Sequence, residues 1–376
     1  MKLILLCVVF LANSLHAQDI HFGIHKHYSS PRALGMGGAF TSVVDDHTAI
    51  FYNPAALSKI KEGELKFGIQ GAVSKGLLDF IDDLGKATDI PDVGSDREEA
   101  VIDVLSKYEG KHLSSRFPTL STIWARPNWG FAFIPVDLSL DLGLHQSLGP
   151  EVSLEVYQDS TFAYGRAWRL KKAKGLTLGA TAKAIYRGYI GRDLLAVDLV
   201  DGDIIDDEDF KEGFTIDFDV GLLYEPHWWT YDKAVPTFSF VIRNLLNYGF
   251  RENFNIFNDN SIEPPKAQRT IDVGSAWQLP QFWVFDPKVS LEIHNIMHDY
   301  FSLRKGFHLG AELGWTAFDW LKGAYRLGLH QGYYTAGISG QLKWFKLEAA
   351  TWGEEVGTSK TKLEDRRYMV QLSLNF

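Results

Sequence analysis

Cysteine is nearly missing from this 376-residue chain: Cys7 is the single one. It lies in the apolar stretch 3–12, between Lys2 and the small-residue junction Leu15-His16-Ala17. That arrangement predicts a secretory signal peptide over 1–17, cleaved before Gln18. The chain beyond it carries no cysteine, which excludes a disulfide framework and thiol chemistry. Long apolar runs are missing too. After residue 17 none approaches the roughly 18 residues a membrane-crossing helix needs, which excludes a polytopic helical membrane protein. Basic charge is scarce: 38 Lys and Arg stand against 47 Asp and Glu, a formal charge of -9. Without a basic stripe, no nucleic-acid partner is expected. Walker loops, zinc patterns, dinucleotide fingerprints and Gly-x-Ser-x-Gly elbows are absent. His294, His298 and Ser302 are close in sequence, but nothing marks them as a catalytic set. The expectation is no enzyme, no metal and no cofactor.

Apolar residues are nevertheless plentiful. They make up 45% of the chain, with a mean hydropathy of only -0.11 and 15 Tyr, 11 Trp and 25 Phe. The patterning shows where they go. Tyr368, Val370, Leu372, Leu374 and Phe376 alternate with Arg367, Met369, Gln371, Ser373 and Asn375. The same period of two runs through 214–224, 136–144, 307–315 and 334–344. Apolar alternating with polar over about ten residues, with aromatics near the ends, is the mark of a transmembrane barrel strand. About fourteen such strands can be placed. They lie at 64–73, 118–126, 129–145, 150–170, 176–192, 214–226, 235–246, 267–280, 286–297, 305–317, 320–330, 332–343, 344–353 and 366–376. A soluble β-sandwich shares the alternation with its apolar face inward, but its strands are shorter. Sidedness supplies an independent check. The long connections 74–117, 193–213, 247–266 and 354–365 all follow odd-numbered strands, whereas Pro127-Asn128 and Phe318-Asp319 follow even-numbered ones. The expected fold is all-β: a 14-stranded antiparallel transmembrane β-barrel in the outer membrane, spanning 64–376.

Two segments are not wall. Residues 75–117 predict a helical extracellular insertion: Leu77, Leu78, Ile81 and Leu84 share a face, as do Ala100, Val101, Val104, Leu105 and Tyr108. Ser95 and Glu98 fit a capping box for its second helix. The insertion either lids the first hairpin or pads the rim. Residues 18–63 are rich in glycine and small residues. A fourteen-stranded lumen is too wide for wall side chains to fill, so this segment is expected inside it.

Within that segment stand Pro31-Arg32-Ala33-Leu34-Gly35-Met36-Gly37-Gly38-Ala39-Phe40, then Asp45-Asp46, Ala49, Phe51 and Asn53-Pro54-Ala55-Ala56-Leu57. This string resembles the N-terminal signature of the FadL-like outer-membrane proteins, which include long-chain fatty-acid transporters and PorV-type barrels. The 75–117 insertion with Asp82-Asp83-Leu84 also resembles TraF-like barrels. The resemblance implies an N-terminal hatch in the lumen, with motif residues Gly35, Gly37, Gly38, Asp45, Asp46, Asn53, Pro54 and Ala55. It also implies uptake of a hydrophobic small molecule such as a long-chain fatty acid; physically, such a ligand is expected to be captured among apolar side chains of the insertion and the hatch, with Leu77, Leu78, Phe80, Ile81 and Leu84 as candidates. The alternative is a PorV-like barrel that binds or assembles a secretion or transfer component. Either way the barrel sits in outer-membrane lipid.

The motif makes physical sense. Glycines permit tight turns and close approach to a wall, and Asn before Pro favours a turn. Asp45 and Asp46 can pair with inward bases, of which Lys183, Arg187, Arg243, Lys322 and Arg326 are candidates. The segment is either a movable hatch or a fixed plug. Asp217, Asp219, Asp272, Glu292, His294, His308 and Glu312 are expected inside as a structural network. The run Asp193, Asp198, Asp201, Asp203, Asp206, Asp207, Glu208, Asp209 and Glu212 lacks EF-hand spacing and reads as a solvated outer loop. His21, His25 and His27 could hold a transition metal but lack a nearby acid beyond Asp19, and read as a polar N-terminus. Pro135, inside the third strand, is expected to break wall hydrogen bonding.

Overall fold

The computed structural model describes residues 24–91, 96–146, 150–201, 209–229, 234–251, 256, 262–357 and 361–376. The signal-peptide reading, His21, Ser95, and Asp203, Asp206, Asp207 and Glu208 fall outside these.

Fourteen antiparallel strands close into one barrel in strict sequence order. They are β1 Glu64–Ser74, β2 His112–Arg126, β3 Trp129–Gln146, β4 Pro150–Arg169, β5 Leu176–Leu195, β6 Phe210–Tyr224 and β7 Val235–Arg243, then β8 Thr270–Gln278, β9 Phe285–Ile296, β10 Phe307–Phe318, β11 Leu321–His330, β12 Tyr333–Leu342, β13 Phe345–Glu355 and β14 Glu364–Asn375. The barrel closes where β1 meets β14, with Leu65 and Phe376 exchanging backbone hydrogen bonds of 2.9 Å. Closure removes the exposed edges an open sheet would leave.

Alternation fixes which residues face out. On β14, Tyr368, Val370 and Leu372 are exposed while Met369, Gln371 and Ser373 are buried. The same holds on β6, where Ile216 and Phe218 lie outside and Asp217 and Asp219 inside. An exposed apolar band therefore circles the barrel, the inverse of a soluble core, and it fits the hydrocarbon of a bilayer. Trp129, Trp168, Trp228, Trp283, Trp320 and Trp344 collect near the short turns 127–128, 170–175, 225–234, 279–284, 319–320 and 343–344, as an interfacial girdle does. The longer connections 75–111, 196–209, 244–269 and 356–363 share the opposite, outer end, as their sequence order requires.

β2–β6 run 15–20 residues whereas β7–β14 run 9–12. A tilted strand needs only about 9–11 residues to cross the hydrocarbon. The surplus rises at the outer end and still carries outward apolar side chains: Leu113, Leu144, Val152, Leu154 and Leu194. The helices Leu77–Thr88 and Asp96–Lys107 bury them, with Leu77, Phe80, Val101 and Leu105 in one cluster with that wall. The outward parity of those wall residues puts this insertion against the outside of the raised wall. It pads the rim and does not lid the lumen.

The largest shift of a sequence-predicted strand start falls at a proline. β2 begins at His112, six residues before its predicted start at Pro118. Its pairing with β3 slips between Arg116 and Thr119 and again between Leu120 and Thr122, so the strand passes through the proline by bulging. β3 against β4 slips between Ile134 and Asp137, around Pro135, as expected. A helix, Ala196–Asp201, occupies part of the predicted 193–213 loop.

Candidate functional site

Residues 24–60 are buried or half-buried against inward-facing wall side chains, and Lys61, Glu62 and Gly63 are exposed ahead of β1. The helix Pro31–Gly35 packs on β11–β14, and the 3-10 turn Pro54–Lys59 packs on β3–β6, so the segment bridges the lumen. Its apolar side chains, among them Met36, Phe40, Val44, Ala55 and Leu57, form a core buried from solvent.

The motif glycines each have a steric reason. A Cβ on Gly35 would sit 2.9 Å from the Gly337 backbone. Gly37 and Gly38 have φ of +66° and +80°, and a Cβ on Gly37 would meet two wall carbonyls at 2.5 Å. Asn53 does two things: its Oδ1 accepts from Ala55 N at 3.1 Å and caps the 3-10 turn, and its Nδ2 donates to Thr41 O at 3.0 Å, while Pro54 supplies the turn's first position. The wall yields space in return: a Cβ on Gly179 or Gly221 would overlap Ala55 or Asn53.

A segment with little regular structure must satisfy its backbone elsewhere. Here wall side chains do so. The Glu292 carboxylate accepts from Thr41 N at 3.0 Å and Ser42 N at 2.9 Å, and from both hydroxyls. Arg243 donates to the carbonyls of Phe51 and Tyr52 while holding Asp272 at 2.8 Å. Gly37 O accepts from His308 Nδ1 at 2.6 Å and His330 Nδ1 at 3.0 Å. Arg116 donates to Lys26 O at 2.7 Å, and Gln70 to Ser29 O at 2.9 Å.

Asp45 and Asp46 find a base that the sequence reading passed over. Arg32, within the motif itself, donates from Nη1 to both at 2.7 Å, and from Nε and Nη2 to Glu312 at 2.8 and 2.6 Å. Lys288 adds a 2.7 Å pair to Asp45. Burial would raise both aspartates, but Arg32 together with Lys288 at Asp45, and with His47, Lys346 and the Thr48 hydrogen bond at Asp46, holds them below the ordinary carboxylate range, Asp46 well below. The bases expected for this role act elsewhere. Lys183 pairs with Asp219, Arg187 with Asp159 and Arg243 with Asp272; Arg326 joins Glu312, and Lys322 is exposed. The inward acids and histidines expected as a network are all buried.

Two cavities flank the entering chain 24–29. The larger, about 360 Å³, lies toward the outer end between that chain, β4–β9 and the 265–268 connection. Its lining mixes the rings of Tyr28, Phe51, Tyr157 and Tyr300 with Lys183 and Arg243. The smaller, about 70 Å³, faces β2, β3 and β14. A groove of about 980 Å³ opens at the short-turn rim between Ser58–Lys61 and Arg166–Arg169. None of the five apolar insertion residues lines these spaces. Leu77 and Phe80 are buried, Leu84 is half-buried, and Leu78 and Ile81 are exposed.

His25 and His27, set aside as a polar tail, meet an acid that is distant in sequence. His25 Nε2 and His27 Nδ1 lie 2.9 and 3.1 Å from one oxygen of Asp159 on β4. Burial pushes His27 down to about 4, so its ring is neutral at pH 7. Of the acidic run, Asp193 accepts from Ser153 at 2.5 Å, Asp198 from Leu195 N at 2.8 Å, and Asp209 meets Arg192 at 3.2 Å. Ser302 is a helix cap, accepting from Lys305 N. The seam at Pro135 is filled from inside, where Arg116 and Thr119 both donate to Asp137, and none of the three cavities opens at Pro135.

Fold and site define a fourteen-stranded transmembrane β-barrel whose inward side chains hold an N-terminal segment of the same chain. No family model matches the chain, and no curated protein does. Among solved structures it is similar to the toluene transporter TbuX of Ralstonia pickettii, at 11% identity over 93% of this chain and 98% of that one, with a TM-score of 0.49. It is likewise similar to the CymD monoaromatic hydrocarbon channel, at 10% over 92% and 96% with a TM-score of 0.49. A FadL homologue of Pseudomonas aeruginosa aligns at 9% over 94% and 99%, with a TM-score of 0.45.

Proposed function

We propose that the protein is an outer-membrane channel for uptake of small hydrophobic molecules, long-chain fatty acids among them, gated by residues 18–63 as a movable hatch. The cavity of about 360 Å³ on the outer side of the segment carries this reading. It falls in the range of small-ligand sites, mixes aromatic with cationic lining, and has Ala33, Leu34, Gly38, Phe51 and Tyr52 of the segment among its lining. Hydrogen bonds and ion pairs are one part of the segment's anchorage to the wall, and water can replace these groups as the segment moves. The exposed Leu78 and Ile81 form an apolar capture patch at the outer rim, supported from beneath by Leu77, Phe80 and Leu84. The bulged seam at Pro118 and Pro135 offers a side exit once the Arg116–Asp137 pair opens.

The same exposed pair favours the second reading, in which the rim presents the barrel to a secretion or transfer protein. Native mass spectrometry of gently extracted protein separates the two. Co-purifying fatty acid or hydrocarbon supports uptake. Consistent absence of lipid together with a stable protein partner overturns it.

A further inference from the structure

Two histidines on the entering chain and one aspartate on the wall converge where the sequence shows no motif. The nitrogens of His25 and His27 and one oxygen of Asp159 all lie within 4.8 Å of one another. Each nitrogen stands about 3 Å from the oxygen, at 2.9 and 3.1 Å. That is the edge length of a coordination shell with bonds of roughly 2.0–2.2 Å. We propose that His25 Nε2, His27 Nδ1 and Asp159 Oδ2 form a three-ligand site for a first-row divalent transition metal ion such as zinc or nickel, with its open positions toward the larger cavity.

The donor set selects the metal class. Two imidazoles and one carboxylate suit zinc, nickel or copper, whereas calcium and magnesium want several oxygens. Both histidines line the cavity, which leaves room for water or a ligand atom to complete the shell. Asp159 is fixed for the task. Arg187 donates to its Oδ1 at 2.8 Å and its Oδ2 at 2.7 Å, leaving a second lone pair on Oδ2. Arg187 is itself pinned by the Pro265 carbonyl at 2.7 Å and by the rings of Tyr157 and Phe250. It acts as the outer partner that orients a ligand. Its positive charge also disfavours weakly held hard cations, which sharpens the preference for strong nitrogen binders. His25 stacks on Tyr157 with centroids 4.4 Å apart, so its ring is already oriented. A bound ion would staple the start of the lumen segment to β4, away from the Arg32–Glu312 anchor on β10.

The test is titration of full-length, tag-free protein in detergent at neutral pH with zinc, nickel and calcium, followed by calorimetry. Cobalt absorption gives the coordination. One equivalent of zinc or nickel should bind, calcium should not, and His25→Ala and His27→Ala should each weaken binding by more than about tenfold. His227→Ala, at an exposed position, should leave binding unchanged. Both histidine substitutions spare the Asp159–Arg187 pair, so loss of binding is separable from misfolding, and cobalt-free circular dichroism checks the barrel. No stoichiometric binding, or equal binding by the His25→Ala/His27→Ala double variant, overturns the proposal.

Discussion

Replacing Arg32 by Met keeps an unbranched apolar stem while removing the four N–H bonds that tie Glu312 on β10 to Asp45 and Asp46 in the segment. Breaking a buried ion pair by deleting one partner costs about 3–5 kcal/mol. The low end applies here, because no acid is left bare. Glu312 keeps Arg326 at 2.7 Å, Asp45 keeps Lys288 at 2.7 Å, and Asp46 keeps Thr48 N at 2.9 Å. A loss of about 3 kcal/mol is roughly a hundredfold in an equilibrium. It falls on the seating of the segment, because the wall ladder between β9, β10 and β11 does not use Arg32. Hydrogen exchange read by mass spectrometry should therefore show peptides within 31–59 exchanging about a hundredfold faster in Arg32→Met, with wall peptides unchanged. Unchanged exchange in the segment would refute the claim that this network seats it. Equal loss of protection in wall and segment would refute the claim that the segment moves separately.

Three further outcomes follow from the same geometry. Gly179→Ala places a methyl group where Ala55 sits, so the barrel should still show heat-modifiable migration while the segment becomes protease-sensitive. Phe80→Ala removes a ring buried edge-on to Tyr108 at 5.1 Å and should cost about 3–5 kcal/mol locally, melting the 77–107 insertion before the barrel in a thermal scan followed by circular dichroism. Asp45 and Asp46 have depressed folded-state pKa values, so their stabilisation is fully present above the unfolded value near 3.9 and is lost as pH falls through the folded value. Their share of segment protection should thus be flat from pH 8 to about pH 5 and decline only below about pH 4; a loss that begins near pH 6.5 belongs to His27, which burial keeps neutral with a folded value of about 4.

The strands were legible because a wall between lipid and a polar lumen imposes period two on every strand, and Tyr368 to Asn375 display it without interruption. Gly35, Gly37, Gly38 and Asn53 have local reasons of their own: Gly37 and Gly38 take positive φ, Gly35 lies close to the Gly337 backbone, and Asn53 caps the turn at Pro54. The partners of the segment were not legible. Asp159 lies 134 residues from His25, and Glu312 lies 280 from Arg32, so only barrel closure brings them together. Arg32 was overlooked because it stands inside the motif and pairs within it. The insertion's seat was hidden by the bulges at Pro118 and Pro135. A one-residue slip exchanges inward and outward faces, so the outward aspect of Leu113 cannot be counted from the lower half of β2.

Ser42 in the segment and Ser290 on β9 place their hydroxyl oxygens 3.0 Å apart, both buried. Converting both to cysteine makes a lock that oxidation closes and reduction opens in the same molecule, and the sole native cysteine is Cys7. Uptake of a fluorescent long-chain fatty acid by outer-membrane vesicles carrying the Ser42→Cys/Ser290→Cys variant tests the hatch directly. The account predicts uptake in the reduced state and its loss on oxidation. Equal uptake in both states would contradict it.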